Sequence, residues 1–164
     1  MIGKAMLDAM NEQINREMFS SYLYLSMAAH FEEKNLAGFA HWMRTQADEE
    51  REHAMKFYDF ILDRGGKVAL KAIAAPKAEW GSNLKAFQEA ADHEAKISAS
   101  IHALYELAVQ EKDYPAQVML QWFITEQVEE EKNAGEIVAS LKLIEERGTA
   151  VLMLDHRLAK RAGE

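Results

Sequence analysis

Proline occurs at only two positions in this 164-residue chain, 76 and 115, and that scarcity constrains the fold more than any other feature. A proline inside a helix removes a backbone donor and clashes with the preceding turn, so tracts without one are free to be helical throughout. In those tracts apolar residues recur at spacings of three and four, the period of a helix with one buried face. The first tract, from about Leu7 to Lys34, carries Leu7, Met10, Ile14, Met18, Ser21, Leu25 and Ala28. The second carries Phe39, Trp42, Met43, Gln46, Phe57, Phe60 and Ile61. The third opens at Ser82 or Asn83 and carries Leu84, Phe87, Ala91, Ser98, Ile101, Tyr105 and Ala108; the fourth, after Pro115, carries Leu120, Phe123, Ala134, Ile137, Leu141 and Ile144.

The connections between tracts set the topology. Asn35-Leu36-Ala37-Gly38 and Lys112-Asp113-Tyr114-Pro115 are short, which predicts two antiparallel helical hairpins. Arg64-Gly65-Gly66 and Arg147-Gly148 read as helix stops, with a basic residue followed by a glycine able to take the left-handed conformation. Residues 65–82 contain Gly65, Gly66, Pro76 and Gly81 and keep no helical period. About 18 residues is more than a helix-to-helix turn needs. Extended at ~3.3 Å per residue, they span the roughly 40 Å of a helix and let the third helix run parallel to the second. The expectation is therefore an all-α chain in one domain spanning 1–164: a four-helix bundle over about 7–147 with a long crossover between helices 2 and 3, and a short fifth helix at about 149–160. That last segment carries Val151, Leu152, Leu154 and Leu158. It is marginal in isolation, so its apolar side is buried either on its own bundle or against symmetry-related copies.

Each long helix interrupts its apolar stripe with polar groups: Glu17, then Glu50 with His53, then Glu94, then Gln127 with Glu130. Glu50 and His53 are three apart and share a helix face, where both reach one metal ion. Folding the hairpins about their turns puts Glu17 about 18 residues from Asn35 and the Glu50–His53 pair about 15 to 18 from it; Glu94 lies about 19 from Asp113 and Gln127–Glu130 about 14 to 17. All the interruptions thus fall at one height. Four inward carboxylates cannot all stay charged there without compensation, because repulsion and desolvation each raise carboxylate pKa values. A metal supplies it. A glutamate from each of two helices with Glu-x-x-His motifs from others is the known pattern of carboxylate-bridged metal pairs in bundles. Oxygen-rich ligation with one imidazole suits Fe(II) or Mn(II), whereas structural zinc favours Cys and His.

Composition narrows the alternatives. The chain has no cysteine, which removes thiolate metal sites and cysteine nucleophiles and fits a reducing compartment. A formal charge of −8, from 27 acidic against 19 basic residues, disfavours phosphate recognition, so nucleic acid is not an expected partner. Only Arg157, Lys160 and Arg161 form a short basic tail. No run approaches the length of a membrane span, and the N-terminus lacks the apolar core of a signal peptide, so a cytoplasmic protein with no membrane partner is expected.

The segments Ile14-Asn15-Arg16-Glu17, Ser21 to Ala28, Glu49-Glu50-Arg51-Glu52-His53-Ala54, Glu94 and Glu126-Gln127-Val128-Glu129-Glu130-Glu131 together closely resemble the non-haem bacterial and archaeal ferritins, over essentially the whole length. The resemblance implies a ferroxidase centre with Glu17, Glu50 and His53 on the first iron and Glu50, Glu94 and Glu130 on the second. It places Gln127 beside that pair and has Tyr24 hydrogen-bonding a ligand and supplying an electron. It further implies a third iron position at Glu49, Glu126, Glu129 and Glu130, and hollow shells of 24 chains in which the fifth helix lines the four-fold axes. Bacterioferritins differ in carrying a second Glu-x-x-His on the fourth helix and a methionine before the His of the second. This chain has Gln127 with Glu130, and Glu52, so no haem is expected. Where animal ferritins line three-fold pores with acids, this chain has Gln117 and Leu120.

The function implied is iron storage: Fe(II) is oxidised by O2 at the di-iron centre, and ferric oxo-hydroxide is deposited inside the shell, with Asp48, Glu49 and Glu52 near the centre able to nucleate it. One alternative is a rubrerythrin-like di-iron peroxidase or oxidase, disfavoured by the missing cysteines. The other is a structural helical bundle without metal.

Overall fold

The computed structural model describes residues 1–145 and 147–161, and among them the regular structure is helical: α1 spans Lys4–Glu33, α2 Ala37–Asp63, α3 Asn83–Gln110, α4 Tyr114–Ile144 and α5 Gly148–Leu158. The four long helices and the short fifth match the expected all-α architecture. None of them is long and apolar enough to cross a membrane.

The turns form for local reasons. Asn35 at φ 58° and Lys112 at φ 55° take the left-handed conformation between the helices of each hairpin. Ser82 caps α3, its side chain accepting from Lys85 N–H; Asp113 caps α4, accepting from Ala116 N–H at 3.2 Å. Asp113 also receives both arms of the Arg64 fork, at 2.9 and 3.2 Å, which ties the end of α2 to the start of α4. Burial alone would raise the Asp113 pKa, but the Arg64 bonds and the capping N–H outweigh it and hold the carboxyl below its ordinary value. Gly65 takes φ 70° and closes α2 as expected. At the end of α4 the expectation fails: Glu145, at φ 50°, makes the left-handed stop, and Gly148 instead opens α5.

The crossover runs beside α1, held by side chains of that helix. Asn11 donates to Lys67 O and accepts from Ala69 N–H, Asn15 donates to Ala72 O, and Ser26 donates to Lys77 O. Partners progress up α1 as the crossover advances, so the segment climbs the bundle and delivers α3 at the far end. Trp80 ends the climb, packed edge-on to His30 with ring centroids 5.2 Å apart.

Two apolar clusters make up the core. One gathers Phe31, Phe39, Trp42 and Phe87 with Ile137, Leu141 and the buried face of α5. The other gathers Met6, Met10, Phe57, Ile61, Ile101, Leu120 and Phe123, with Phe57 and Phe123 stacked at 4.2 Å. Between them lies a polar layer. Leu120, wholly buried in the second cluster, cannot line a pore, and Gln117 is engaged with Ala108 O.

Of the stripe expected on α1, Met10, Ile14 and Ala28 are buried, and Leu7, Met18 and Ser21 are partly so. Leu25 is half exposed, while Met6, Met10, Glu17, Tyr24, Met27 and Phe31 face inward. The buried face contains the polar Gln13, Glu17 and Ser20, which dilute its apolar signal. Glu17 is buried for the reason given by its position, one heptad before Tyr24.

The fifth helix docks on its own chain. Val151, Leu154 and Leu158 join the first cluster, and Asp155 accepts from Phe39 N–H at 2.9 Å near the start of α2. Gly38 makes this approach possible: a Cβ there would lie 1.8 Å from the Asp155 carbonyl oxygen.

Candidate metal centre

Glu17, Glu50, Glu94, Gln127 and Glu130, with His53, occupy the polar layer, and each is at most 4% exposed. They come from four helices at one level, so helix registry alone aligns them. One ligand atom from each of Glu17, Glu50 and His53 lies within 4.8 Å of the others, close enough to share a metal ion. A second group of the same kind joins His53 to Glu126 and Glu130.

The hydrogen bonds leave specific oxygens open. Gln13 donates to Glu17 Oε1 at 2.8 Å, and Gln46 donates to Glu50 Oε1 at 3.2 Å and Glu130 Oε2 at 2.7 Å. Glu17 Oε2 and Glu50 Oε2 are buried with no amide or hydroxyl donor among the described residues, and the two carboxyls hydrogen-bond to one another when one of them is protonated. His53 Nδ1 sits 3.3 Å from Glu50 Oε2. Two buried carboxyls that have only a shared proton between them, beside an imidazole, make a site that a cation can complete, and the donor set fits a hard or borderline divalent cation.

Across the bundle, Tyr24 Oη donates to Glu94 Oε1, and Gln127 donates to Glu94 Oε2 at 3.2 Å and to Ser98 Oγ at 3.2 Å. Glu94 is thus held by tyrosine and amide rather than grouped with Glu50 and Glu130 in a cluster of three. The chain brings Glu17, Glu50 and His53 together as anticipated, and sets Glu94 and Glu130 beside them with glutamine and tyrosine donors in between.

Electrostatics follow from crowding in a dry layer. Glu17 and Glu50 have carboxyls pushed well up, first by burial and then by neighbouring carboxylates. Glu94 is raised mainly by burial, and Glu130 is pushed up to about 8 by burial and the charge of Glu94. Tyr24 is raised too, so its hydroxyl stays a donor. Without metal the layer holds protons; a divalent cation would displace them.

The third position is arranged differently from the expectation. Glu126 and Glu130 meet at His53, but Glu129 is exposed and stands outside both groups. Glu49 is buried and paired with Arg161 at 2.5 Å, so of the three acids suggested for mineral nucleation only Asp48 and Glu52 are exposed. Residue-level reading also missed Gln13, Ser20, His93, Ser98 and Arg161. Gln13 and Gln46 stand one turn before Glu17 and Glu50, a spacing that was visible. His93, given no role, lies 2.7 Å from Ser20 Oγ and edge-on to Tyr24; burial and then Lys96 lower its pKa to about 4, which keeps it neutral.

Known proteins agree with this architecture. The ferritin family, described as a ferritin-like domain, matches residues 7–144. The bacterial non-heme ferritin of Bacteroides fragilis is 40% identical over 161 residues, covering 98% of this chain and all of that one. The one from Staphylococcus aureus is 35% identical, covering 98% and 97%. Among solved structures, an open pore ferritin from the hyperthermophilic archaeon Archaeoglobus fulgidus superposes with a TM-score of 0.98 at 48% identity, covering 99% of this chain and all of that one. A closed form of the same archaeal ferritin, engineered by site-directed mutagenesis, gives 0.98 with full coverage of both.

Proposed function

The chain belongs to the ferritin family of iron-storage proteins, and from that premise we propose that its polar layer is a ferroxidase centre, which oxidises Fe(II) with O2 and delivers Fe(III) for storage. Iron is the substrate. Glu17, Glu50 and His53 take the first Fe(II), and Glu50, Glu94 and Glu130 take the second, with Glu50 between them. The observation that carries this reading is the convergence of two buried carboxyls, Glu17 and Glu50, on His53, with their Oε2 atoms given no amide or hydroxyl donor by the surrounding helices. A purely structural bundle gains nothing from such crowding, because burial and mutual repulsion both work against the charged carboxylates.

The two Fe(II) give up one electron each to O2, which takes up two protons and leaves as hydrogen peroxide, and the Fe(III) product hydrolyses to an oxo-hydroxide with release of protons. The chain's residues fix geometry and charge. Glu50 and Glu130, held by Gln46, lose their protons as cations arrive, while Gln127 and Tyr24 steady Glu94.

Storage requires a container, and the proposal includes a hollow shell of 24 chains. Support comes from apolar side chains left exposed on the isolated chain, Tyr22 and Leu25 on α1, Leu143 on α4, and Leu152 and Met153 on α5, which copies would cover. The archaeal relative is an open pore ferritin and its engineered variant a closed form, so the openness of the assembly proposed for this chain is a separate measurement.

The test is aerobic addition of excess Fe(II), with Fe(III) absorbance followed in time and particle size measured by light scattering. Wild type should oxidise iron rapidly and retain it in a large assembly; Glu50→Ala should slow oxidation by at least about tenfold, a loss of about 1.4 kcal/mol of transition-state stabilisation. Equal rates for both proteins, or a small particle that keeps no iron, would sink the reading.

A further inference from the structure

Arg161 lies beyond α5, yet it reaches the metal centre. Its carbonyl oxygen is 2.7 Å from His41 Nε2, its guanidinium stands 4.6 Å from the Trp42 ring centroid, Nη1 donates to Gln46 Oε1 at 2.8 Å, and Nη2 donates to Glu49 Oε2. Trp42, Gln46 and Glu49 follow one another at spacings of four and three on α2, so a single planar fork spans one face of the helix. The Arg161 side chain is 17% exposed and that of Glu49 9%. A carboxylate buried to that degree requires a cation, and here the chain supplies its own.

Two consequences reach the layer. Glu49 adjoins Glu50, and its carboxylate is held by an internal positive charge. Gln46 accepts from Arg161 through Oε1, which leaves its NH2 as the group facing Glu50 and Glu130. An amide has the same outline in either orientation, and its hydrogen bonds alone select one. When cations occupy Glu50 and Glu130, a free Gln46 could turn its oxygen toward them; the Arg161 bond keeps it a donor.

We propose that Arg161 is a positioning residue that limits how many cations the centre holds: its guanidinium stands in for a further metal ion at Glu49 and keeps the Gln46 oxygen out of the ligand set. The inference rests on the di-iron reading above. A cation and the guanidinium compete for Glu49, so each weakens the other by the same factor. The wild-type centre therefore binds its pair tightly and admits a third cation only at the expense of the Arg161 contact.

The test is anaerobic titration with Co(II), a redox-inert probe under these conditions with a ligand-field spectrum, on the assembled full-length protein. Wild type is expected to take up two Co(II) per chain. Arg161→Gln and Arg161→Ala are each expected to take up three, the third with its own spectral band, and adding Glu49→Gln to Arg161→Gln should return the count to two. A wild type that binds two with both Arg161 variants also binding two overturns the proposal and leaves the di-iron reading standing, as does a third Co(II) that persists without Glu49. A wild type that binds none in the polar layer overturns the di-iron reading itself. Removing Arg161 leaves Glu49 buried without its cation, so Arg161→Gln is also expected to lower the metal-free melting temperature and excess Co(II) to restore most of it; a deficit that Co(II) leaves unchanged overturns the proposal.

Discussion

Tyr24 is wholly buried, and its hydroxyl has one assigned partner, Glu94 Oε1. Replacing it with phenylalanine keeps the ring among its neighbours and removes only the donor. In the metal-free protein Glu94 Oε1 then loses its bond, at a cost of about 1–3 kcal/mol. Tyr24→Phe should accordingly lower the melting temperature without metal, and added Co(II) should close most of the gap, since a cation replaces the lost partner. A gap unchanged by Co(II) would place Glu94 outside the metal site. At this scale much was legible. Glu17, Glu50, His53, Glu94 and Glu130 were readable because a charged residue inside an apolar stripe is an anomaly that demands a partner. Arg161 was not. Nothing in local periodicity says that a basic residue past α5 folds back across about two turns of α2, and its partners Gln46 and Glu49 read as an ordinary stripe residue and a candidate third-iron ligand.

Helices and their contacts obey coarser rules, and these were mostly readable from glycine, proline and spacing. The α1 stripe is legible only in part, with Met10, Ile14 and Ala28 inside but Leu25 outside, because its buried polar groups dilute the apolar signal, whereas α4, whose stripe is dominated by Leu120, Phe123, Ile137 and Leu141, is legible throughout its middle. The docking of α5 was undecided from sequence, since an amphipathic segment of that length serves a neighbour as well as its own bundle; Gly38 decides it. In a helix interior alanine is favoured over glycine by about 1 kcal/mol. Gly38→Ala should nevertheless destabilise the protein, because the added methyl meets the Asp155 carbonyl at 1.8 Å and must push α5 off the start of α2. Thermal unfolding checks the sign: a higher melting temperature for Gly38→Ala would mean that α5 is not held in this position.

For the molecule as a whole, the buried layer sets an opposition between empty and loaded states. Glu130 is pushed to about 8, and Glu17, Glu50 and Glu94 are raised as well, against an ordinary value of 4.5 in the unfolded chain. Between those limits the folded state binds more protons than the unfolded one, so stability falls as pH rises. His30 and His93 work in the opposite sense, since burial lowers both, His93 to about 4, but their contribution is half spent at the ordinary histidine value of 6.5 and fades over the next pH unit. From pH 6.5 to about 8 the raised carboxyls outweigh what remains of it, and the metal-free protein should lose stability across that interval. A divalent cation reverses the trend because it binds the deprotonated carboxylates and has fewer protons to displace at higher pH. The rise in melting temperature on adding saturating Co(II) should therefore be larger at pH 8 than at pH 6.5, at fixed protein and metal concentrations. A metal-free melting temperature that climbs over this interval, or a Co(II) increment independent of pH, would mean that the layer is already ionised without metal and that its protons are not what a cation replaces.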